Sequence, residues 1–407
     1  EVVLGRDAAC GVCLAGTEVS RRHARLRRRD GADAGLLIED LGSRNGVRVN
    51  QRAVASAALG PGDVVRIGGW IGVVTNSPGA LSEIAPGLLG GAALQRILAP
   101  VMTAAGSDLP IVLEGETGTG KEVVTRALHR WSQRTGPLVA VNCGALPEGL
   151  AEGELFGYRR GAFTGADHAS PGLFRSAEGG TLLLDEITDL SLPLQAKLLR
   201  VLEQREVQPL GESRPVPIDV RIVVAGQQSL ADAVRKGQFR PDLLARLDGV
   251  AVRLPPLRER REDVPALFLH LLRELGHGHA PGVDADLIER LCAHDWPFNV
   301  REMVLLVRRL LVLRGSEPTL RADCLPERFG ARAGAAIAAL GIPVAAPTTN
   351  GSEPIEMPAL VSALRASAGN VARAAAMLGI SRQRAYRLME GASVDLEALR
   401  HHEEPSR

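Results

Sequence analysis

The chain has 407 residues, 48 basic and 47 acidic, for a formal net charge of +1, and 45% of them are apolar. That apolar share excludes a disordered or fibrous protein, and the length predicts two to four domains of roughly 100–200 residues each. A charge this close to zero excludes a protein that coats nucleic acid along its whole length, so any DNA contact must be local.

Five cysteines, an odd number, predict no disulfide framework. Cys10 and Cys13 form one C-x-x-C without a second pair, so they read as pocket-filling side chains in a strand region rather than zinc ligands. His277 and His279 have no acidic or cysteine partner at ligand spacing and read as a solvated loop. No basic stretch followed by an apolar run marks a signal peptide. The longest weakly apolar stretch, 333–347, contains glycine and proline and falls short of the roughly 20 residues that span a bilayer. A cytoplasmic protein without a membrane partner is expected. The start at Glu1, without methionine, reads as a fragment's.

Residues 1–78 hold short β-type runs, 35–39, 46–50 and 63–67, broken by glycine and Asx turns. Alternation at this spacing predicts an antiparallel sandwich. The pieces Leu4-Gly-Arg6, Val19-Ser-Arg-Arg-His23, Leu41-Gly-Ser-Arg-Asn-Gly46 and Gly62-Asp63 resemble a forkhead-associated (FHA) domain, a phosphothreonine-binding β-sandwich. The resemblance implies that Arg6, Ser20 and Arg21 hold the phosphate, that Asn45 binds the peptide backbone, and that His23 orients the loop carrying Ser20. Arg44 stands where threonine is common. A sandwich that keeps the motif without binding phosphate is the alternative.

From 86 to 254, apolar strands alternate with helical stretches, which predicts a parallel sheet with crossover helices. The strands are placed at 111–113, 138–141, 181–184, 220–224 and 250–254. Ser191 is the expected cap of a helix whose Leu194, Leu198, Val201 and Leu202 share one face. The run Gly115-Glu116-Thr117-Gly118-Thr119-Gly120-Lys121-Glu122 matches G-x-x-x-x-G-K between a strand and a helix start. Its glycines let backbone N–H groups face a phosphate at a helix N-terminus, and Lys121 reaches the terminal phosphates. Glu122 replaces the usual Ser/Thr that meets magnesium. Further on, 179–186 is an apolar strand ending in Asp185 and Glu186. Asp185 is the expected Mg²⁺ ligand, directly or through water, and Glu186 the group that activates the attacking water. ATP or GTP hydrolysis follows.

Between these elements lies Gly161-Ala162-Phe163-Thr164-Gly165-Ala166, where glycines flank an aromatic and a threonine. With Val141–Leu146, Glu154–Gly157, Leu194–Leu202, Leu254–Arg260 and Trp296–Glu302, this loop makes residues 86–330 closely resemble the sigma-54-dependent, enhancer-binding activators of the AAA+ class. The resemblance implies a homo-oligomeric ring, a hexamer, with ATP between subunits and Phe163 and Thr164 touching the sigma factor. It implies arginine fingers at Arg240 and Arg246, a nucleotide-sensing Arg301, and an Asn142 that restrains Glu186. Two departures stand out: Gln227 ends the sensor strand in place of asparagine, and Phe298 replaces the glycine before Asn299.

Residues 255–330 read as a helical lid, 331–354 as an Ala/Gly/Pro/Thr-rich linker, 355–391 as a helical unit and 392–407 as a tail. Asn370, Gly379 and Ser381 punctuate a helix-turn-helix resembling the Fis-type module of the same activators. Arg382, Gln383, Arg384, Tyr386 and Arg387 would then face enhancer DNA. A dimerisation bundle is the other reading of this unit.

The whole is thus expected to be multidomain: an all-β sandwich, an α/β ATPase with a helical lid, and an all-α helix-turn-helix. The function expected is ATP-dependent activation of sigma-54 RNA polymerase holoenzyme under control of a phosphothreonine-containing partner protein. Two alternatives remain: a phosphothreonine-binding, DNA-associated adaptor with an ATPase core impaired at Gln227, and a general P-loop remodelling enzyme. The intact 161–166 loop argues against the second.

Overall fold

Among the described residues, nine short strands open the chain, each too short to stand alone and paired through backbone hydrogen bonds, with successive side chains alternating between the two faces. They are β1 (Val2–Gly5), β2 (Val12–Cys13), β3 (Ala24–Arg29), β4 (Gly35–Asp40), β5 (Val47–Val49), β6 (Arg52–Val54), β7 (Ser56–Leu59), β8 (Val64–Ile67) and β9 (Trp70–Val73). One sheet runs β2-β1-β3-β4-β7 and the other β6-β5-β8-β9. Leu4, Val19, Ala24, Ile38, Val47, Val49, Leu59 and Ile67 fill the space between them. All pairings are antiparallel except β1 with β2, which run parallel. The expected sandwich is present with that one difference. The structure is a computed structural model describing residues 1–29, 35–76, 81–147, 149–163 and 165–329. The readings at Thr164, at 331–354 and at 355–407 lie outside the described residues.

A hairpin, β10 (Ser82–Ala85) and β11 (Leu88–Gly90), leads into the second module. Its helices are α1 (Ala92–Thr103), α2 (Lys121–Trp131), α3 (Ala151–Phe156), α4 (Gly172–Ser176), α5 (Leu192–Gln204), α6 (Leu230–Arg235) and α7 (Pro241–Leu247). Its strands are β12 (Ile111–Glu114), β13 (Leu138–Asn142), β14 (Thr181–Asp185), β15 (Glu206–Val207), β16 (Val216–Pro217), β17 (Arg221–Gly226) and β18 (Val250–Arg253). Five of these form a parallel sheet in the order β13-β14-β17-β12-β18. Successive side chains point to opposite faces, and both faces are covered, which is why the strands are apolar throughout. Ile111, Leu113, Leu183, Val223 and Ala225 pack on α1 and α2. Val112, Leu182, Leu184, Ile222 and Val224 pack on the other face, with residues of α3 to α7. The five strands stand where the sequence predicts them, within one or two residues.

On α5, Leu194, Leu198 and Val201 are buried and Leu202 is partly so. Ser191 holds the expected cap position, but its hydroxyl closes no capping bond. The amphipathic reading missed Gln195, which is fully buried. Its amide donates to the carbonyls of Leu190 (2.8 Å) and Gln238 (3.0 Å), and its oxygen accepts from the Arg240 N–H (2.9 Å). This one side chain ties α5 to the start of α7.

The lid holds α8 (Val264–Leu275), α9 (Ala285–Ala293) and α10 (Asn299–Arg314), joined by a two-residue parallel pairing of Gly282–Val283 with Thr319–Leu320. Its core gathers Leu267, Phe268, Leu287, Leu291, Trp296, Met303, Val307 and Phe329. Val64 of the sandwich is 1% exposed and belongs to this lid core, with Ile71 and Val73 packed against it. The sandwich is therefore seated on the lid. All five cysteines are free. Cys13 is exposed in β2, contrary to the pocket-filling reading, because a two-residue edge strand has no second layer over it. His277 and His279 are exposed, as expected for a solvated loop. Among the described residues, no helix is long and apolar enough to cross a membrane.

Replacing Gln195 by the similarly sized leucine leaves two carbonyls and one N–H unmet in a dry core. The expected cost is at least about 2 kcal/mol, read as a lower urea midpoint for the α/β module. A loss under about 0.5 kcal/mol would mean that Gln195 is not the tie described.

Candidate nucleotide site and phosphopeptide site

In an open parallel sheet, ligands bind beyond the carboxyl ends of the strands. There, β12 ends at Glu114 and turns through residues 115–120 into α2, while β14 ends at Asp185 and β17 at Gly226. The loop needs its glycines. Gly118 has φ +79°, and any Cβ there would strike the carbonyl oxygen of Phe298. Gly120, at φ +106°, is the cap from which α2 starts.

Lys121 is only 7% exposed and its ammonium donates to the Gly115 carbonyl at 2.7 Å. Burial pushes its pKa below the ordinary lysine value, Asp185 and Glu186 pull it back up, and Arg301 adds to the push. These four groups therefore share one electrostatic neighbourhood. Thr119 Oγ1 donates to the Glu116 carbonyl at 2.8 Å and tightens the loop. Glu122 turns away: it pairs with Arg126 one turn along the exposed side of α2. An anion at this helix start would meet backbone N–H groups, one lysine and one arginine, which fits a nucleotide's phosphates. Magnesium bound with phosphates keeps waters and needs only one or two carboxylates. Asp185 meets that need, although no group of three or more potential ligands gathers among the described residues.

Glu186 sits at φ +53°, a left-handed backbone that costs a non-glycine residue energy. Its carboxylate accepts from Gln227 Nε2 at 2.8 Å. The extra methylene of Gln227 is thus used to reach Glu186. Asn142 stands across from Asp185 in the sheet, but its oxygen accepts from the Gly144 N–H at 2.9 Å. In this structure the amide that holds Glu186 is Gln227 and not Asn142.

Three residues outside the loop, Arg258, Asn299 and Arg260, bind it to the lid, and the P-loop pattern does not reveal them. Glu116 turns from the phosphate position and forms a two-pronged ion pair with Arg258. That guanidinium holds the Glu116 carboxyl below its ordinary value. Asn299 is fully buried at φ +52°. It accepts from Leu257 N–H (2.7 Å) and donates to the carbonyl of Thr117 (3.0 Å) and to Glu116 (3.3 Å). Phe298 has φ −113°, which any residue adopts, so the missing glycine strains nothing. Arg260 donates to Thr119 O at 3.3 Å and pairs with Asp263, both nearly fully buried. Burial raises the Asp263 carboxyl to about 6, although Arg260 pulls it down. Asp263 also accepts from the Gly91 N–H at the head of α1 (3.0 Å).

Arg240 pairs with Asp242, and Arg246 donates to Leu202 O at 3.0 Å, so neither turns to this chain's own Lys121. Arg246 lines a cleft of about 430 Å³ with Pro110 and Val220, at the amino ends of the strands. A smaller cavity of about 330 Å³ lies at the carboxyl ends, lined by Gly115, Glu116 and Gln227. Of the two, only the smaller borders the phosphate loop. In the loop at 161–166, Gly161 N–H bonds Ala166 O (2.9 Å) and Ala166 N–H bonds Phe163 O (3.0 Å). Phe163 is 37% exposed, and its ring meets Tyr158 edge-on at 5.0 Å.

In the sandwich, backbone bonds from Arg6 N–H to Ser20 O and Asp7 N–H to Arg21 O (both 3.1 Å) bring the first motif to the second. The buried His23 accepts from Ser20 N–H at Nδ1 (3.1 Å), so its Nε2 carries the proton donated to Gly46 O (3.0 Å). The imidazole orients the Ser20 loop, as the sequence suggests. Ser20 Oγ accepts from Arg44 N–H (3.0 Å), which leaves its own proton free to donate. Asn45 Nδ2 donates to Glu18 O at 2.7 Å. Arg6 and Arg21 are exposed. Among the described residues, neither is paired with a carboxylate.

This geometry defines a P-loop ATPase of the AAA+ class carrying an FHA-type sandwich. The Sigma-54 interaction domain matches residues 89–253, the FHA domain 2–68, the AAA+ ATPase lid domain 258–339, and the bacterial regulatory protein, Fis family, 352–387. The transcriptional regulatory protein GlrR of Escherichia coli (strain K12) is 43% identical over 305 residues, covering 74% of this chain and 66% of GlrR. The transcriptional regulatory protein ZraR of Salmonella typhimurium is 40% identical over 305 residues, covering 73% of this chain and 67% of ZraR. The crystal structure of NtrX from Brucella abortus in complex with ATP superposes at TM-score 0.54 and 30% identity, covering 78% of this chain and 70% of NtrX. The chain belongs to the sigma-54-dependent family of bacterial transcriptional regulators. It spans about two thirds of the length of the relatives it matches.

The Glu116 pair yields a pH test. A carboxyl held low contributes its full stability above its ordinary value, 4.5, and loses it as pH falls through the lower folded value. Glu116→Gln should therefore flatten the acid side of the stability curve below about pH 4.5. Unchanged slopes in urea titrations from pH 6 to pH 3 would show that the pair carries no such weight.

Proposed function

We propose that this protein couples ATP hydrolysis to remodelling of sigma-54 RNA polymerase holoenzyme at promoters reached from enhancer DNA, in the cytoplasm. The observation that carries the reading is the joining of one buried lysine, two strand-end carboxylates and the 161–166 loop on a single α/β body. Residues 115–122 cradle the phosphates. Lys121 and Arg301 face their charge. Asp185 is the residue that would hold Mg²⁺, which neutralises phosphate charge when bound. Glu186, released by Gln227, takes a proton from the attacking water. Arg240 and Arg246 serve a neighbouring subunit in a ring, a hexamer, since neither is turned to its own Lys121. Gly161, Ala162, Phe163, Thr164, Gly165 and Ala166 form the contact with sigma-54.

At the N-terminus, Arg6, Ser20 and Arg21 take a phosphothreonine and Asn45 the peptide backbone of a partner protein. Two guanidiniums that are unpaired among the described residues and a hydroxyl with a free proton suit a dianionic ester. At the C-terminus, Arg382, Gln383, Arg384, Tyr386 and Arg387 contact DNA. We assign residues 1–78, 86–254, 255–330, 331–354, 355–391 and 392–407 to the sandwich, ATPase core, lid, linker, helix-turn-helix and tail. The adaptor reading loses ground because Gln227 bonds Glu186 and Phe298 is unstrained, so neither departure breaks the site.

Lys121→Ala should abolish ATP binding. Glu186→Gln should keep binding and lower turnover by about 100-fold or more. Thr164→Ala should keep most ATPase activity yet block open-complex formation by sigma-54 polymerase. Wild-type protein without ATPase activity at ring-forming concentration would return the adaptor reading.

Arg6→Ala removes a charge-assisted contact worth roughly 1.5–3 kcal/mol, so phosphothreonine-peptide affinity should fall at least about tenfold. Fluorescence anisotropy against the unphosphorylated twin checks this. Equal binding of both peptides would leave the sandwich as a plain scaffold.

A further inference from the structure

The sandwich does not hang beside the ATPase; it supplies charges that the lid needs. Glu289 on α9 is 2% exposed, and its Oε1 has no hydrogen-bond partner. Its other oxygen lies 3.1 Å from Arg66 and 3.5 Å from Arg48, both residues of the sandwich. Arg66 also pairs with Asp286, one turn earlier on α9. A buried carboxylate left without its cation is strongly destabilising. Docking therefore depends on these two arginines as well as on Val64.

The same two arginines face a second opening. Arg48 and Arg66 line a cavity of about 260 Å³ together with Asn45, Gly46, Gly68 and one acidic residue, Glu18. Asn45 is the proposed peptide-backbone contact, and Arg48 is three residues further along the same loop and strand. A peptide anchored at Arg6, Ser20 and Arg21 and running across Asn45 would meet both guanidiniums.

The lid side of this interface leads to the nucleotide loop in two bonded steps. β9 packs against the turn Arg261–Asp263. Asp263 holds Gly91, and its partner Arg260 holds the carbonyl of Thr119 within the P-loop.

We propose that the lid and an acidic phosphopeptide compete for Arg48 and Arg66. A phosphothreonine peptide with carboxylates past the phosphoresidue draws both arginines from Glu289 and Asp286, loosens the sandwich from α9, and so weakens the lid's hold on ATP. This rests on the phosphothreonine reading of the sandwich. The coupling is negative, and linkage makes it reciprocal: ATP weakens the acidic peptide by the factor by which the peptide weakens ATP. A phosphopeptide of equal affinity for docked and undocked forms would shift nothing.

The test uses the full chain and two labelled phosphothreonine peptides, one with aspartates past the phosphothreonine and one with asparagines. Asp286→Asn combined with Glu289→Gln removes the competing carboxylates with little change of shape. The acidic peptide should bind this double variant at least about fivefold tighter than wild type, and the neutral peptide equally to both. In wild type alone, which needs no variant to fold, saturating acidic peptide should weaken ATP binding by about fivefold or more, and the neutral peptide should not. Peptides that bind but respond alike, with ATP affinity unchanged, overturn the competition and leave the phosphothreonine site standing. If neither phosphopeptide binds wild type better than its unphosphorylated twin, the phosphothreonine reading falls and the competition falls with it.

Discussion

One buried cation organises the catalytic half of this protein. Lys121 has lost nearly all its water, and a lysine in that state must find negative partners or give up its proton. The Gly115 carbonyl meets it directly. The sheet delivers the rest: β14 lies one strand beyond β17 from β12, so Asp185 and Glu186 emerge beside the loop although some 64 residues separate them from Lys121. The glycines are consequences of that placement. At Gly118 the carbonyl of Phe298 leaves no space for a Cβ, and at Gly120 the left-handed turn into α2 favours glycine.

The lid is held by the same loop. Asn299 accepts a left-handed backbone so that its amide can reach Leu257, Thr117 and Glu116 together. Asparagine is among the few side chains that tolerate this conformation. The turn Trp296–Asn299 thereby lies on the P-loop, and Arg301 follows on the first turn of α10. Glu116–Arg258 and Arg260–Thr119 add two more ties. Nucleotide loop and lid are thus bonded to each other, and the sandwich is bonded to the lid through Arg66 and Glu289. Hinge and shear motions of packed elements pass through contacts of this kind.

Much of this is legible in the sequence alone. Periodicity and glycine spacing located the sandwich, the five parallel strands and the helix after Ser191, because alternation and apolar runs follow directly from pleat and burial. The phosphate loop was legible because its chemistry is local: strand, glycines, lysine and helix start within a dozen residues. The ends of elements were less so. The strand expected at 220–224 runs over Arg221–Gly226, since hydrogen-bonded register and not side-chain type decides where a strand stops.

The sequence by itself determined the residue inventory: which segments can bury, which loop can face a phosphate, and which arginines are available. The tertiary structure decided which of those groups meet. It gave Glu186 to Gln227 and not to Asn142, turned Glu116 from phosphate to Arg258, turned Arg240 and Arg246 away from their own Lys121, and set a buried Glu289 against two arginines more than 220 residues away. The reason is physical. Local patterns reflect the energetics of one strand or helix, whereas the pairing of distant charges depends on how whole elements stack. Among dozens of arginines, only the packing selects the two that face the buried Glu289.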